Sequence, residues 1–310
     1  MKEILLLEPV FADYVWGGNA LASYGYRIPE KRIGEVYGVS ARPDSDCKII
    51  NGFANGTGLC EFYKTHRDWF GEGAPSYFPF SMKMISADMD TDVFVCGPDA
   101  STLQNGYDGS RRTEYMLVLD CPEHTNMITG HNAATKEDAA EQIRRGNLKT
   151  LIRESSIRKG DVFRMDYGTL QGFRPGSVLF SVSLAPNVRY RLSGNSRNGQ
   201  NDFGREQKMA LDALRVPSSR PGNMFLYSYR VDHSLIKRLV KENGFLLEYI
   251  KVSDSCRFHD VRGFSAYTVL AGNGTVDGLS LKAGDSFIVP YNYGNYELKG
   301  SFELIRCFYA

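Results

Sequence analysis

The chain has 310 residues, with 37 lysines and arginines set against 36 aspartates and glutamates. That length supports one large domain or two ordinary ones with a sizeable core, and the near cancellation of charge excludes a strong global field toward nucleic acid or anionic lipid. With 31 glycines, 12% aromatic residues and few helix-favouring runs, the composition points to a strand-rich fold with many tight turns.

The N-terminus "MKEILLLEPVF" has only four consecutive apolar residues before Glu8 and Pro9. This is too short for a signal-peptide core or a membrane span, so the expectation is a cytoplasmic protein without a membrane partner. Among Cys47, Cys60, Cys96, Cys121, Cys256 and Cys307 there is no C-x-x-C pair, and reduced thiols are expected. "KIINGF" (48–53) reads as a strand. "TGLCEFYKTHRDWFG" (57–71) then reads as a helix, with Leu59, Phe62, Tyr63 and Trp69 on one face and Thr57 as N-cap. Three strand-like runs follow at 80–87, 91–96 and 114–120. "TKEDAAEQIRRGN" opens with Thr135, carries an acid three residues later and stops at Gly146, which predicts a capped helix, with "NLKTLIRE" behind it. Strands are predicted at 160–165 and 177–184, then a short helix at 204–214. The stretch 234–252 is ambiguous in its first half, although Asn243-Gly244 favours a turn between strands. Further strands are expected at 266–272, 285–290 and 302–308.

Two segments repeat one another. "RKGDVFRMDYGTLQG" and "KAGDSFIVPYNYGNY" both run from a basic residue through Gly-Asp into a strand and turn. Gly160 precedes Gln171 by the same eleven positions that separate Gly284 from Asn295. A duplicated β-barrel domain is the preferred account. The first copy fits Gly-x5-Pro-x-Gly-x2-His, the second motif of the cupin barrels, with Asp166 at the proline and Gln171 at the metal-binding histidine.

Nearly end to end, the chain resembles the class I phosphomannose isomerases, in particular the short double-cupin form. "LEPVFADYVWGGNAL" is similar to the family's opening signature through Pro9, Phe11, Trp16, Gly17, Gly18 and Leu21. "IGEVYGVSARP" is similar to its Gly-Glu-x-Trp stretch through Gly34, Glu35, Ser40 and Pro43, with Tyr37 near the tryptophan position. Lys83, Thr113, Glu114, Tyr190, Arg191 and Arg197 stand at further family positions. The resemblance implies a mainly β fold of two cupin (jelly-roll) domains. The first spans 1–130 and 155–200, a helical insertion covers 131–154, and the second spans 201–310 with a short linking helix. It also implies carbohydrate metabolism: interconversion of mannose 6-phosphate and fructose 6-phosphate through an enediol, with a zinc ion stabilising charge that develops on oxygen.

The family's zinc is held by a His in a His-Pro-Asp turn, a Glu, and the His of the second cupin motif. Here the turn reads "VCGPDA", so Cys96 and Gln171 stand at degenerate ligand positions and Glu114 alone is retained. An amide is a poor zinc ligand and one carboxylate does not hold the ion. Zinc is therefore expected to be absent or weakly bound, although a substitute site from Cys96, Glu114 and Gln171 stays open. Otherwise Glu114 is a buried carboxyl satisfied by the Gln171 amide or by an arginine. By resemblance, Arg191 belongs to the sugar-phosphate pocket and Lys83 lies beside the metal centre. Lys83, Arg191, Glu114 and Tyr190 are then the substrate-binding set, with Arg191 and Lys83 the catalytic candidates. Arg189, Arg191 and Arg197 could equally form a solvated strand edge. The histidines, His66, His124, His131, His233 and His259, show no ligand spacing, and surface or loop positions are expected for each. Three readings follow: a homologue that binds a sugar or sugar phosphate without zinc-dependent turnover, an active isomerase with an altered metal set, and a non-catalytic scaffold. The lost ligands favour the first.

Overall fold

The computed structural model describes residues 2–97, 113–184, 188–193, 203–242, 244–260 and 262–310. Its first barrel is a sandwich of two antiparallel sheets. In the six-stranded sheet the order is Val162–Asp166, Thr113–Asp120, Ser177–Leu184, Phe80–Ala87, Ile33–Val39 and Val10–Gly18. The five-stranded sheet opposite it runs Val188–Ser193, Val93–Gly97, Leu170–Phe173, Asn126–His131 and Ile152–Ser156. Phe80–Ala87 and Ser177–Leu184 match the predicted runs to the residue. Both are rich in branched and aromatic side chains, and they pair along their whole length.

A second barrel is built on a nine-stranded sheet whose long members are Phe245–Asp260, Phe264–Val276 and Gly294–Tyr309. The ambiguous stretch resolves as the hairpin Ser234–Glu242 with Phe245–Asp260, Glu242 standing opposite Phe245. Two segments depart from the expected domain boundaries. Leu5–Glu8 pairs with Ser286–Val289, so the first strand of the chain completes the sheet of the second barrel. The helix Phe203–Ala213 packs on Val188–Ser193 and on Val93–Gly97, with Ala210 and Ala213 in the apolar cluster that covers the outer side of the five-stranded sheet. Amphipathic elements settle wherever an apolar face is left uncovered, which chain order alone does not specify. An aromatic cluster joins the two barrels: the rings of Phe80 and Phe264 stack at 5.6 Å, and those of Tyr115 and Phe245 at 5.9 Å.

The sequence repeat recurs bond for bond. Gly160 and Gly284 have φ of 92° and 90°. The carboxylate of Asp161 accepts from the Arg158 N–H at 2.8 Å, and that of Asp285 from the Lys282 N–H at 2.9 Å. Each glycine N–H then donates across to a strand carbonyl, Val118 at 2.8 Å and Val269 at 2.9 Å. A left-handed glycine followed by an aspartate that closes its own turn is what both copies encode.

Local expectations hold where a few neighbouring residues decide them. Thr135 caps the helix Lys136–Arg144 by accepting from the Asp138 N–H. Thr57 does not cap Leu59–Thr65: the N-cap position is Gly58, and the carboxylate of the distant Asp46 accepts from the Cys60 N–H at 2.8 Å. "KIINGF" contributes only Lys48–Ile49 before the chain turns at Gly52. His131 departs from the surface expectation. It is 2% exposed, with Nε2 2.9 Å from the Arg215 carbonyl oxygen, because it ends a strand roofed by the segment after the linking helix. The six cysteines are unbridged.

Candidate functional site

Between the two sheets of the first barrel lies a cluster of buried polar residues. The six-stranded sheet supplies Glu35 from Ile33–Val39, Lys83 from Phe80–Ala87, Glu114 from Thr113–Asp120 and Ser181 from Ser177–Leu184. The facing sheet supplies Cys96, Arg189 and Gln171. Glu35 is 0%, Glu114 1% and Lys83 5% exposed, so none of these charges is solvated in the ordinary way.

Each charge is therefore matched by another. Lys83 Nζ donates to Glu35 Oε1 at 3.1 Å, and the Tyr37 hydroxyl donates to Glu35 Oε2 at 2.9 Å. The Arg189 guanidinium crosses from the opposite sheet and spans both carboxylates, with Nη1 bonded to Glu35 and Nη2 3.0 Å from Glu114 Oε1. Ser181 also donates to Glu114, and the Cys96 thiol lies 3.4 Å from Glu114 Oε2. Two carboxylates and two cations make a neutral, closed set.

Ionisation follows from that set. Burial alone would push both carboxyls up; Lys83 and Arg189 outweigh it and hold Glu35 at about 2, and Arg189 with Lys83 hold Glu114 at about 2. Burial lowers Lys83, with the Arg189 charge adding to it. Burial, reinforced by the Glu114 carboxylate, pushes the Cys96 thiol up to about 12, so Cys96 is a neutral donor.

These residues do not fit a zinc ion. Glu114 is already bonded by Arg189 and Ser181, the Cys96 thiol is turned onto that same carboxylate, and the third position is an amide. Among the described residues no three of His, Cys, Asp and Glu converge as a ligand set. The Arg189 guanidinium sits between the two carboxylates.

Gln171 is 1% exposed, yet neither its Oε1 nor its Nε2 finds a partner among the described residues. The expected bond from its amide to Glu114 is thus not made; Arg189 and Ser181 take that role. Arg191 lies on the same face of its strand as Arg189, two residues on, and its Nη2 bonds Glu206 of the linking helix at 2.9 Å. Tyr190, between them, faces the other way. It packs beside Val95 and Leu192 on the outer side of the sheet, away from Lys83 and Glu114. Arg197 and residues 98–100 of "VCGPDA" lie outside the described residues.

Two members of the cluster escaped sequence reasoning. Glu35 was visible only as a signature residue without a role, and Arg189 only as part of a charged strand. The available signal was the alternation "VRYRLS", which puts residues 189 and 191 on one face.

The comparisons agree with one another. A family model described as "Mannose-6-phosphate isomerase, cupin domain" matches residues 235–309. The chain is 30% identical over 311 residues to mannose-6-phosphate isomerase ManA of Bacillus subtilis, spanning 98% of both chains. It is 27% identical over 315 residues to mannose-6-phosphate isomerase of Streptococcus mutans, again spanning 98% of each. Among solved structures, the mannose 6-phosphate isomerase of Bacillus subtilis superposes with a TM-score of 0.86 at 27% identity, covering 99% of both chains. The apo enzyme from Salmonella typhimurium, at 12% identity and a TM-score of 0.71, shares the fold.

Proposed function

The chain belongs to the mannose-6-phosphate isomerase family, and from that premise we propose that its first barrel binds a hexose phosphate without carrying out zinc-dependent isomerisation. The observation that carries this reading is Arg189, whose guanidinium spans Glu35 and Glu114. A divalent ion beside Glu114 would have to displace a buried cation already satisfied by two carboxylates, with only a thiol and an amide to add. With no ion to polarise the sugar, the enediol route loses its main source of charge stabilisation.

Retention of a sugar ligand is supported by Gln171. A buried amide with both ends unbonded is destabilising by itself. Such a group is well suited to a sugar hydroxyl, donating through Nε2 and accepting through Oε1. Lys83, held in place by Glu35, adds a donor for a second hydroxyl. Arg191 is the candidate for the phosphate, which would compete with Glu206 for the guanidinium.

The test pairs three measurements on purified protein: zinc content, mannose 6-phosphate to fructose 6-phosphate turnover, and calorimetric binding of mannose 6-phosphate to the native chain and to Arg191→Ala. Expected are less than stoichiometric zinc, no turnover above background, and binding that Arg191→Ala weakens. One zinc per chain with turnover would establish an active isomerase instead. Absence of binding would leave the barrel a scaffold.

A further inference from the structure

The second barrel holds another buried ionic cluster, and this one opens onto a cavity of about 690 Å³. Arg238, Lys241, His259, Asp260, Arg262 and Arg306 line it. Its floor is a fixed lattice of charge. Arg306 Nη2 donates to both oxygens of Asp260 at 2.6 Å, and Arg306 Nη1 to Glu248 at 2.9 Å. Arg238 Nε donates to Glu248 at 2.9 Å, and the Tyr296 hydroxyl donates to Asp260 at 2.6 Å. Glu248, Arg306 and Asp260 are 0%, 5% and 7% exposed. Two guanidiniums against two carboxylates leave this floor electrically neutral.

The mouth is not neutral. Lys241 and Arg262 are exposed, and neither has an ion-pair partner among the described residues. Phe245 and Phe308 supply an apolar wall beside them. A barrel that needed only stability would fill this space with aliphatic side chains, since buried ion pairs at best offset their desolvation. An ordered array of carboxylate and guanidinium groups at the base of a cavity is instead what recognises hydroxyls, and unpaired cations at a rim are what recognise an anion.

We infer that the second barrel carries its own ligand site, taking a small phosphorylated sugar or polyol with its hydroxyls on the Asp260–Arg306 floor and its phosphate between Lys241 and Arg262. The site stands apart from the first barrel and does not depend on the function proposed for it. The repeat reaches it as well: Asn295, which corresponds to Gln171, has its Oδ1 2.7 Å from Nδ1 of His259 on the cavity wall.

Calorimetry on the full chain at low salt tests the site, with mannose 6-phosphate, inorganic phosphate and mannose as separate probes. Arg191→Ala serves as the background that weakens any first-barrel binding. Adding the charge reversals Lys241→Glu and Arg262→Glu should lower affinity for mannose 6-phosphate at least roughly tenfold, the loss expected for charge-assisted contacts. Both positions are exposed, so the thermal midpoint should barely move, and Lys241→Ala with Arg262→Ala should show a smaller loss in the same direction. Mannose 6-phosphate should bind more tightly than either inorganic phosphate or mannose. Equal binding of inorganic phosphate would overturn the role of the floor. Affinity indifferent to the reversals, or no binding to the Arg191→Ala background, would overturn the site.

Discussion

Replacing Arg189 with methionine removes the one cation that two buried carboxylates share. Lys83 still serves Glu35 at 3.1 Å, so the damage falls mainly on Glu114, left with a serine hydroxyl and a thiol. Glu114 is held at about 2 against an ordinary 4.5; a displacement of that size corresponds to roughly 3 kcal/mol. Breaking a buried pair from one side typically costs about 3–5 kcal/mol, which agrees. The sign with pH is definite. In the native chain Glu35 and Glu114 are depressed, so their contribution is present above about 4.5 and is lost as pH falls toward 2. In Arg189→Met, burial acts on Glu114 with less opposition and raises it. The variant's deficit is then largest at neutral pH and shrinks as pH falls and the carboxyl takes up a proton. Urea denaturation followed by fluorescence of Trp16 and Trp69, at pH 7 and again near pH 4.5, measures both quantities. A deficit at pH 7 below about 1 kcal/mol, or one that does not change with pH, would refute the claim that Arg189 neutralises this cluster.

Three further outcomes are expected. Cys96→His with Gln171→His should bind zinc poorly while Arg189 remains, and adding Arg189→Thr should bring metal content close to one ion per chain by elemental analysis; full loading of the double variant would show that the guanidinium is no obstacle. Gln171→Leu should raise stability by about 1–2 kcal/mol, since a buried unbonded amide is removed, and should weaken mannose 6-phosphate binding. A destabilised Gln171→Leu would mean that the amide is bonded after all. Gly284→Ala should cost about 1–2 kcal/mol in urea titrations for its positive φ and somewhat more for a Cβ 3.2 Å from the Gly25 backbone. Gly160→Ala, with open space around its Cβ, should show the backbone penalty alone.

Sequence alone determined those features that a few adjacent residues decide. The strands 80–87 and 177–184, the Thr135 cap and the paired Gly-Asp turns all follow from steric preference and hydrogen bonds that span only a handful of positions. The departures of Cys96 and Gln171 from the cupin spacing are legible in the same way; that these positions hold ligands in the family is what the resemblance implies. Tertiary structure decided the rest. Arg189 reaches Glu114 across 75 residues and Glu35 across 154, and the alternation of its strand leaves open which face turns inward until a second sheet covers it. The same holds for Tyr190, which faces away from the cluster, and for Leu5–Glu8, which completes the sheet of the second barrel. Pairing of buried charges and choice of strand partner are set by whichever groups desolvation leaves facing one another, and that is a property of the packed chain rather than of any window along it.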